Sequence, residues 1–502
     1  NTHAVIGEYA TYQFVLTVPE GTTSDAVVVD RMTSGLAFAD VVSVTYSSGV
    51  TSTLTPGTGA TPTNVVIADY SGGTGNQATY NFGAITNTDT TNATPDTITI
   101  VYRVVVLNVN GNQSGTNLSN TATFTWLTSS TSASSANLGV IEPIVTIGKT
   151  ARRLLPIAGG LFVDAGDTAE YTITLTNTSG VDAFDTIVYD TIPNNLDYST
   201  LVISSVTDSA SLLTVADFNL NTTTGILSTV NNFTLPGNNS RTVSLVITGT
   251  VVSSIVPNTS FTNVGYTQWT SMPGAPTLLS NYSTADGERN GTDGLPGAGI
   301  LNDYQRNVSV NLSVPVFVVT KSLVSTSELA TTGNYLTIGE VARYKLVVSI
   351  PEGSSPQFVL RDYLPSGLSF LNDENASFIN NVRYGFVANA GITSTLVDSV
   401  PALGACTLLT ATTDTPICTL ADDNIASVST STVVPDNYPT GGDVYFRLGN
   451  LDNTDRDADV GVGNAQPVHG HAPPAFGLGA DPGVHDGDTR LAQLAGGDRW
   501  QR

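Results

Sequence analysis

The stretch Asp286-Gly287-Glu288-Arg289-Asn290-Gly291-Thr292-Asp293-Gly294 places oxygen-bearing side chains at alternate positions around a glycine turn. A hard cation needs such a donor set, since calcium takes about six to eight oxygens. The spacing follows the first half of a calcium loop, but position twelve is Gly297, which offers no bidentate carboxylate. Asp286, Glu288, Asn290 and Asp293 are the candidate ligands, with Asn302 and Asp303 completing the shell from the loop's return. An acidic, solvated turn is the preferred reading. A further calcium candidate at a domain end is the cluster Asp452, Asp455, Asp457 and Asp459.

Two lysines invite a second chemistry. Lys149 and Lys321 stand at the starts of repeats, and a sandwich can be welded by a Lys–Asn isopeptide bond. That reaction needs a buried lysine beside an asparagine and a carboxyl group to carry the proton. Glu170 and Asn307 are the candidates to serve Lys149, but the preferred reading is an ordinary exposed lysine. The two cysteines, Cys406 and Cys418, lie close enough to close one short loop. In an oxidising compartment such a disulfide contributes about 3 kcal/mol by loop-closure entropy. No Gly-x-Ser-x-Gly elbow, phosphate loop or His-Glu-x-x-His is present. The repeats hold one histidine, His3, so histidine acid–base chemistry has no place in them. The reading is of a protein without catalytic residues.

The elements that must carry these residues follow from composition. The chain has 502 residues with a net charge of −24, and only 12 % of residues are charged. So acidic a surface argues against nucleic-acid binding. No apolar run approaches the ~20 residues of a membrane helix. Thr, Ser, Asn, Val and Gly dominate while Lys, Glu and Met are scarce, which depletes helix formers and favours strands and turns.

The chain repeats itself. Gly7-Glu8 leads to Tyr12, Gly166-Asp167 to Tyr171 and Gly339-Glu340 to Tyr344, each Tyr five residues after its Gly. Asp30, Asp190 and Asp362 follow 18 or 19 residues later, each with a Leu six positions on: Leu36, Leu196 and Leu368. Recurrence in all three copies suggests a structural carboxylate. Alternating runs such as Thr99–Val105 and Arg241–Ile247, separated by Gly, Pro and Asn clusters, predict strands with one buried face. At Pro143 and Pro315 one copy's last strand passes into the next copy's first through a short, stiff joint. These features predict an all-β chain of tandem immunoglobulin-like β-sandwich domains arranged as an extended rod. The expected boundaries are 1–142, 143–313 and 314–455, followed by a Gly/Ala/Pro/His-rich tail, 456–502, read as disordered or out of frame.

The Gly-Glu/Asp start with its Tyr, the Asp-x-x-Pro-x-x-Leu segment of the second and third copies, and the proline-to-lysine joints resemble a repeat family of bacterial and archaeal surface proteins, the domain of unknown function eleven. The resemblance covers roughly residues 1–455. It implies an extracellular immunoglobulin-like module of adhesin-like or filament-forming proteins, and no activity. The first copy departs from the pattern in having no lysine-bearing strand before Gly7, and the third lacks counterparts of residues 96–107 after Asp455. Both departures suggest a piece of a longer polypeptide. A sandwich without an edge strand offers backbone groups for another chain's strand to fill. The expected role is a non-catalytic surface stalk or filament component whose partners are other copies of itself or neighbouring surface proteins. The alternative is an adhesin-type module that holds glycans or protein through loops such as Thr55-Pro56-Gly57 and residues 270–300.

Overall fold

Alternation decides the local structure. In Thr168–Asn177, Ala169, Tyr171, Ile173 and Leu175 are buried while the residues between them are only partly covered, the two-residue period of a strand with one face on a core. The computed structural model describes residues 2–370 except 55–61, 92, 156–157, 238–240, 275–279, 298–299, 327–330, 332–334 and 341, and beyond them residues 386–388, 392–396, 425–426, 442–454 and 475–478. Among these residues there is no α-helix, only one short 3-10 turn at Val215–Asp217. No helix is long and apolar enough to cross a membrane.

The second repeat shows the architecture most fully. Val145–Leu155, Thr168–Asn177, Thr242–Val251 and Leu196–Asp208 form one sheet in that spatial order. Ile226–Thr229, Ala183–Thr191, Ser260–Thr270 and Gln305–Ser313 form the facing sheet. In immunoglobulin terms this is A-B-E-D packed on C-F-G, with the Phe218–Leu235 excursion added beside C. One core fills the space between the sheets and includes Tyr171, Ile173, Leu175, Leu245, Ile247, Trp269 and Leu312. Burying each such aliphatic side chain contributes about 2 kcal/mol.

The first repeat has its own core, reaching from Ala4 to Val140. Its Tyr9–Thr17, Thr97–Val106 and Leu36–Tyr46 strands face Asn120–Trp126, Gly21–Met32 and Gly73–Asn87. Among the described residues Tyr9–Thr17 pairs on one side only, with Thr97–Val106, and is an edge where the second repeat has Val145–Leu155. In the third repeat Val318–Thr326 pairs with Ala342–Ser349, and Gly353–Tyr363 with Asp443–Asn453. Within the tail expected to be disordered or out of frame, Ala475–Leu478 is a strand between Ala342–Ser349 and Phe386–Ala388. It supplies backbone partners along an edge that Ala342–Ser349 would otherwise present.

One backbone device recurs and sets the phase of the strand carrying the repeated Asp. Asp25, Asp185 and Gln357 each have a left-handed backbone, with φ of 54°, 47° and 52°, at a point where the strand's register slips. Each lies five residues before the recurring Asp. A bulge there re-aims the strand, so that Asp30, Asp190 and Asp362 turn inward from the strand's far half.

Candidate functional site

Lys149 sits on the edge strand Val145–Leu155, opposite Ile173. Its side chain points into the sandwich, and neither it nor that of Asp190 retains any solvent exposure. Lys149 Nζ donates to Asp190 Oδ2 at 2.6 Å, an ion pair that crosses from one sheet to the other. Asn263 lies on Ser260–Thr270, two residues before Gly265, the register partner of Asp190. It is fully buried, and its Nδ2 donates to the same Oδ2 at 3.4 Å. The other oxygens of the cluster, Asp190 Oδ1 and Asn263 Oδ1, are buried without a hydrogen-bond partner. The Tyr171 ring closes the cluster, its centroid 5.5 Å from Nζ.

Burial dominates the electrostatics. Desolvation lowers the pKa of Lys149 and raises that of Asp190, and the attraction between them only partly offsets this. Both groups are thereby pushed toward their neutral forms. An amine drawn toward neutrality, a carboxyl group able to hold its proton and a carboxamide on the same oxygen are the parts of an acyl-transfer site.

The other repeats hold parts of the same arrangement. In the third, Lys321 bonds Asp362, and burial again raises the carboxyl pKa. In the first, Asp30 is 1 % exposed and neither of its oxygens has a hydrogen-bond partner. Desolvation pushes its pKa up to about 6, while the nearby Tyr102 hydroxyl and Asn120 amide pull the other way. Asn120 precedes Ala122, the register partner of Asp30, by two residues, and so matches Asn263. Its Nδ2 donates to Tyr102 OH at 2.7 Å.

The residues singled out in the sequence are placed as follows. Lys149 is buried against Asp190, while Glu170 and Asn307 face away from it. Glu170 alternates with the inward Tyr171, so it points out of the sandwich and takes a two-bonded ion pair from Arg152. Asn307 is exposed on Gln305–Ser313. The strand period, not proximity in sequence, decides both.

The 286–303 loop is built as a strap against the first repeat. Arg289 at its centre is 1 % exposed and forms an ion pair with Glu142. It also donates to Asn108 Oδ1 at 2.9 Å and to the Val109 carbonyl at 3.1 Å. Tyr304 OH donates to Glu142 at 2.9 Å, Ser271 Oγ to the Ile6 carbonyl at 2.7 Å and Ser280 Oγ to that of Phe38 at 2.5 Å. The proposed calcium ligands find protein partners here. Asn302 Oδ1 accepts from Asn108, Asp293 Oδ2 from the Asn302 amide, and Asn290 Oδ1 from Thr292. Asp286 is buried, and the backbone carbonyl of Asp303 accepts from Arg306. Glu288 is pushed up to about 7 by burial and by Asp185. Among the described residues no group of three or more His, Cys, Asp or Glu is placed to hold a metal ion. Asp452 accepts from Ser354 Oγ at 2.6 Å, whereas Asp455, Asp457, Asp459, Cys406 and Cys418 lie outside the described residues, as does the Thr55-Pro56-Gly57 tip.

Sequence reading missed Asn263 and the Arg289–Glu142 pair. A signal for the first existed: Asn120-Thr-Ala and Asn263-Val-Gly are each followed by a Trp six residues after the Asn, Trp126 and Trp269.

No family model and no curated protein sequence matches this chain. Among solved structures, the C-terminal domain of the antigen I/II polypeptide BspA of Streptococcus agalactiae is similar at 13 % identity and a TM-score of 0.30, over 53 % of this chain and 90 % of that one. The major pilin subunit BcpA of Bacillus cereus is similar at 10 % identity and a TM-score of 0.23, over 65 % and 86 %. An Enterococcus faecalis adhesin described as binding its ligands by the collagen hug follows at 7 % and 0.19, over 63 % and 93 %. At such scores the likeness sets neither fold nor role, and both rest on this chain's own sheets and side chains.

Proposed function

We propose that this chain is an extracellular structural protein, a stalk or filament component whose sandwiches are held at fixed joints in an extended rod. The supporting observation is the Arg289 strap. A guanidinium buried across two repeats, with partners on Glu142, Asn108 and Val109, makes the joint part of the folded core. Breaking such a pair by removing one partner costs about 3–5 kcal/mol, so the joint resists swivelling. The second joint is also in backbone contact, with the Ser354 amide donating to the Ile255 carbonyl at 3.2 Å and that of Asn258 to Pro315 at 3.1 Å. The test is small-angle scattering of the chain and of its Arg289→Ala variant. A fixed joint gives one narrow distribution of maximum dimension that broadens in the variant. An equally broad distribution in both defeats the reading.

A second reading, binding of glycan or protein, is favoured by a shallow cavity of about 490 Å³ on the outer face of the second repeat. Tyr189 and Tyr266 stand there 6.5 Å apart beside Gln268, Gln305 and Thr191, an aromatic floor with amide and hydroxyl donors. Glycan-array binding lost on Tyr266→Ala supports it, and a blank array with the intact chain removes the glycan form of it.

A further inference from the structure

We propose that Lys149 and Asn263 become joined by an isopeptide bond between Nζ and the asparagine side-chain carbonyl carbon, with Asp190 as the group that carries the proton. Three observations converge on this pair. Asp190 Oδ2 touches both reactants, at 2.6 Å from Lys149 Nζ and 3.4 Å from Asn263 Nδ2. All three side chains are enclosed, so water that would compete for the acyl group is kept out. The oxygen on which negative charge would gather, Asn263 Oδ1, is buried and has no donor, and Asp190 Oδ1 beside it is likewise unpartnered. An ion pair left in this state carries the desolvation cost of both charges. An amide cross-link removes the cation.

The step balances without any added reagent. Lys149 passes one proton to Asp190, and the neutral amine attacks the Asn263 carbonyl carbon. The protonated Asp190 hydrogen-bonds the developing oxyanion. A second proton from Nζ moves by way of the Asp190 carboxyl to the departing amide nitrogen, whose bond to carbon breaks, and ammonia leaves. One C–N bond forms and one breaks, nothing is oxidised or reduced, and Asp190 retains its proton in a site that is now neutral. Burial favours each stage, because it draws the lysine toward its amine and the aspartate toward its acid.

The cross-link would tie the first strand of the repeat to the next-to-last, across the two sheets. Tension entering at Pro143 would pass through side chains into Ser260–Thr270, and Val145–Leu155 could not peel from its neighbour.

Intact-mass spectrometry of the freshly purified full chain tests this. The expected result is a mass lower than the sequence requires by one ammonia, with proteolysis yielding a branched peptide that contains Lys149 and Asn263. Asp190→Ala should restore the full mass. Asn263→Asp should lose one water in place of ammonia, a change that a merely structural asparagine would not produce. Glu170→Gln and Asn307→Ala should keep the lighter mass, and restoration of full mass by either would overturn the assignment. An unmodified mass in the folded wild-type chain would overturn the proposal outright, whether or not the variants fold.

Discussion

The first and second repeats place an aspartate at the same point of the same strand and an asparagine at the same register beside it, yet only the second brings a lysine. Around Asp190 the amine arrives on Val145–Leu155. Around Asp30 the corresponding edge, beside Tyr9–Thr17, carries no strand among the described residues, and Tyr102 stands where the second repeat has Ile247. The phenol gives Asn120 a partner and packs among Tyr12, Phe14, Phe38 and Tyr80. One frame thus holds two different polar interiors: a buried lysine–aspartate pair, and an unpaired acid lodged among aromatic rings. The recurring Asp belongs to the frame, and what it does depends on what enters from the edge.

The strongest way to break the comparison is to take the amine away. Lys149→Ala leaves Asp190 buried and uncompensated, and should cost about 3–5 kcal/mol in chemical denaturation. Lys149→Met, which keeps the aliphatic stem, should cost less. Next comes the joint: Arg289→Ala leaves Glu142 with only the Tyr304 hydroxyl and the Ser114 amide as partners, and should cost about 3 kcal/mol while rendering the strap around Arg289 sensitive to limited proteolysis. The first repeat should respond in the opposite sense. The folded pKa of Asp30, about 6, lies above its ordinary 3.8, so the folded chain binds the proton more tightly. The stability this group contributes is therefore fully present below about pH 4 and lost as the pH rises through about 6. Asp30→Asn should stabilise the chain by about 1–3 kcal/mol at pH 7.5 and by less at pH 5, read from unfolding curves at the two pH values. Equal effects at both would show that the carboxyl is not strained by burial. The smallest change is expected at Arg152→Ala. That residue holds Glu170 at the surface, and its loss should barely move the unfolding midpoint, by an amount that fades with added salt.

Much of the frame was legible. Alternation and turn clusters fixed an all-β chain, and the Gly-to-Tyr-to-Asp spacing located the strands that carry Tyr171 and Asp190. The joint singles out Lys149, but the sequence favours an exposed lysine there, and its burial follows from its inward place on Val145–Leu155. Its partners were not legible, since Asn263 reaches Asp190 only through the pairing of Ser260–Thr270 with Ala183–Thr191, a register no local pattern encodes. The strap was hidden for a similar reason. A loop rich in Asp, Asn and Gly reads as a cation loop when its oxygens face each other, and these face Asn108 and their own backbone. Arg289, the residue that anchors it, looked like an interruption of the acidic pattern.

The strap has a consequence in time. The contacts onto the first repeat come from Ser271, Ser280, Arg289 and Tyr304, which leave the ribosome only after most of the second repeat has been synthesised. Domains fold as units from the N-terminal side during synthesis. The first sandwich can therefore form the strands of its core before the strap emerges, and Tyr282, packed against Phe38, and Arg289 are added to it last. On the proposed reading of a fixed joint, the chain is pliable while it is being made and stiffens once the second repeat has emerged.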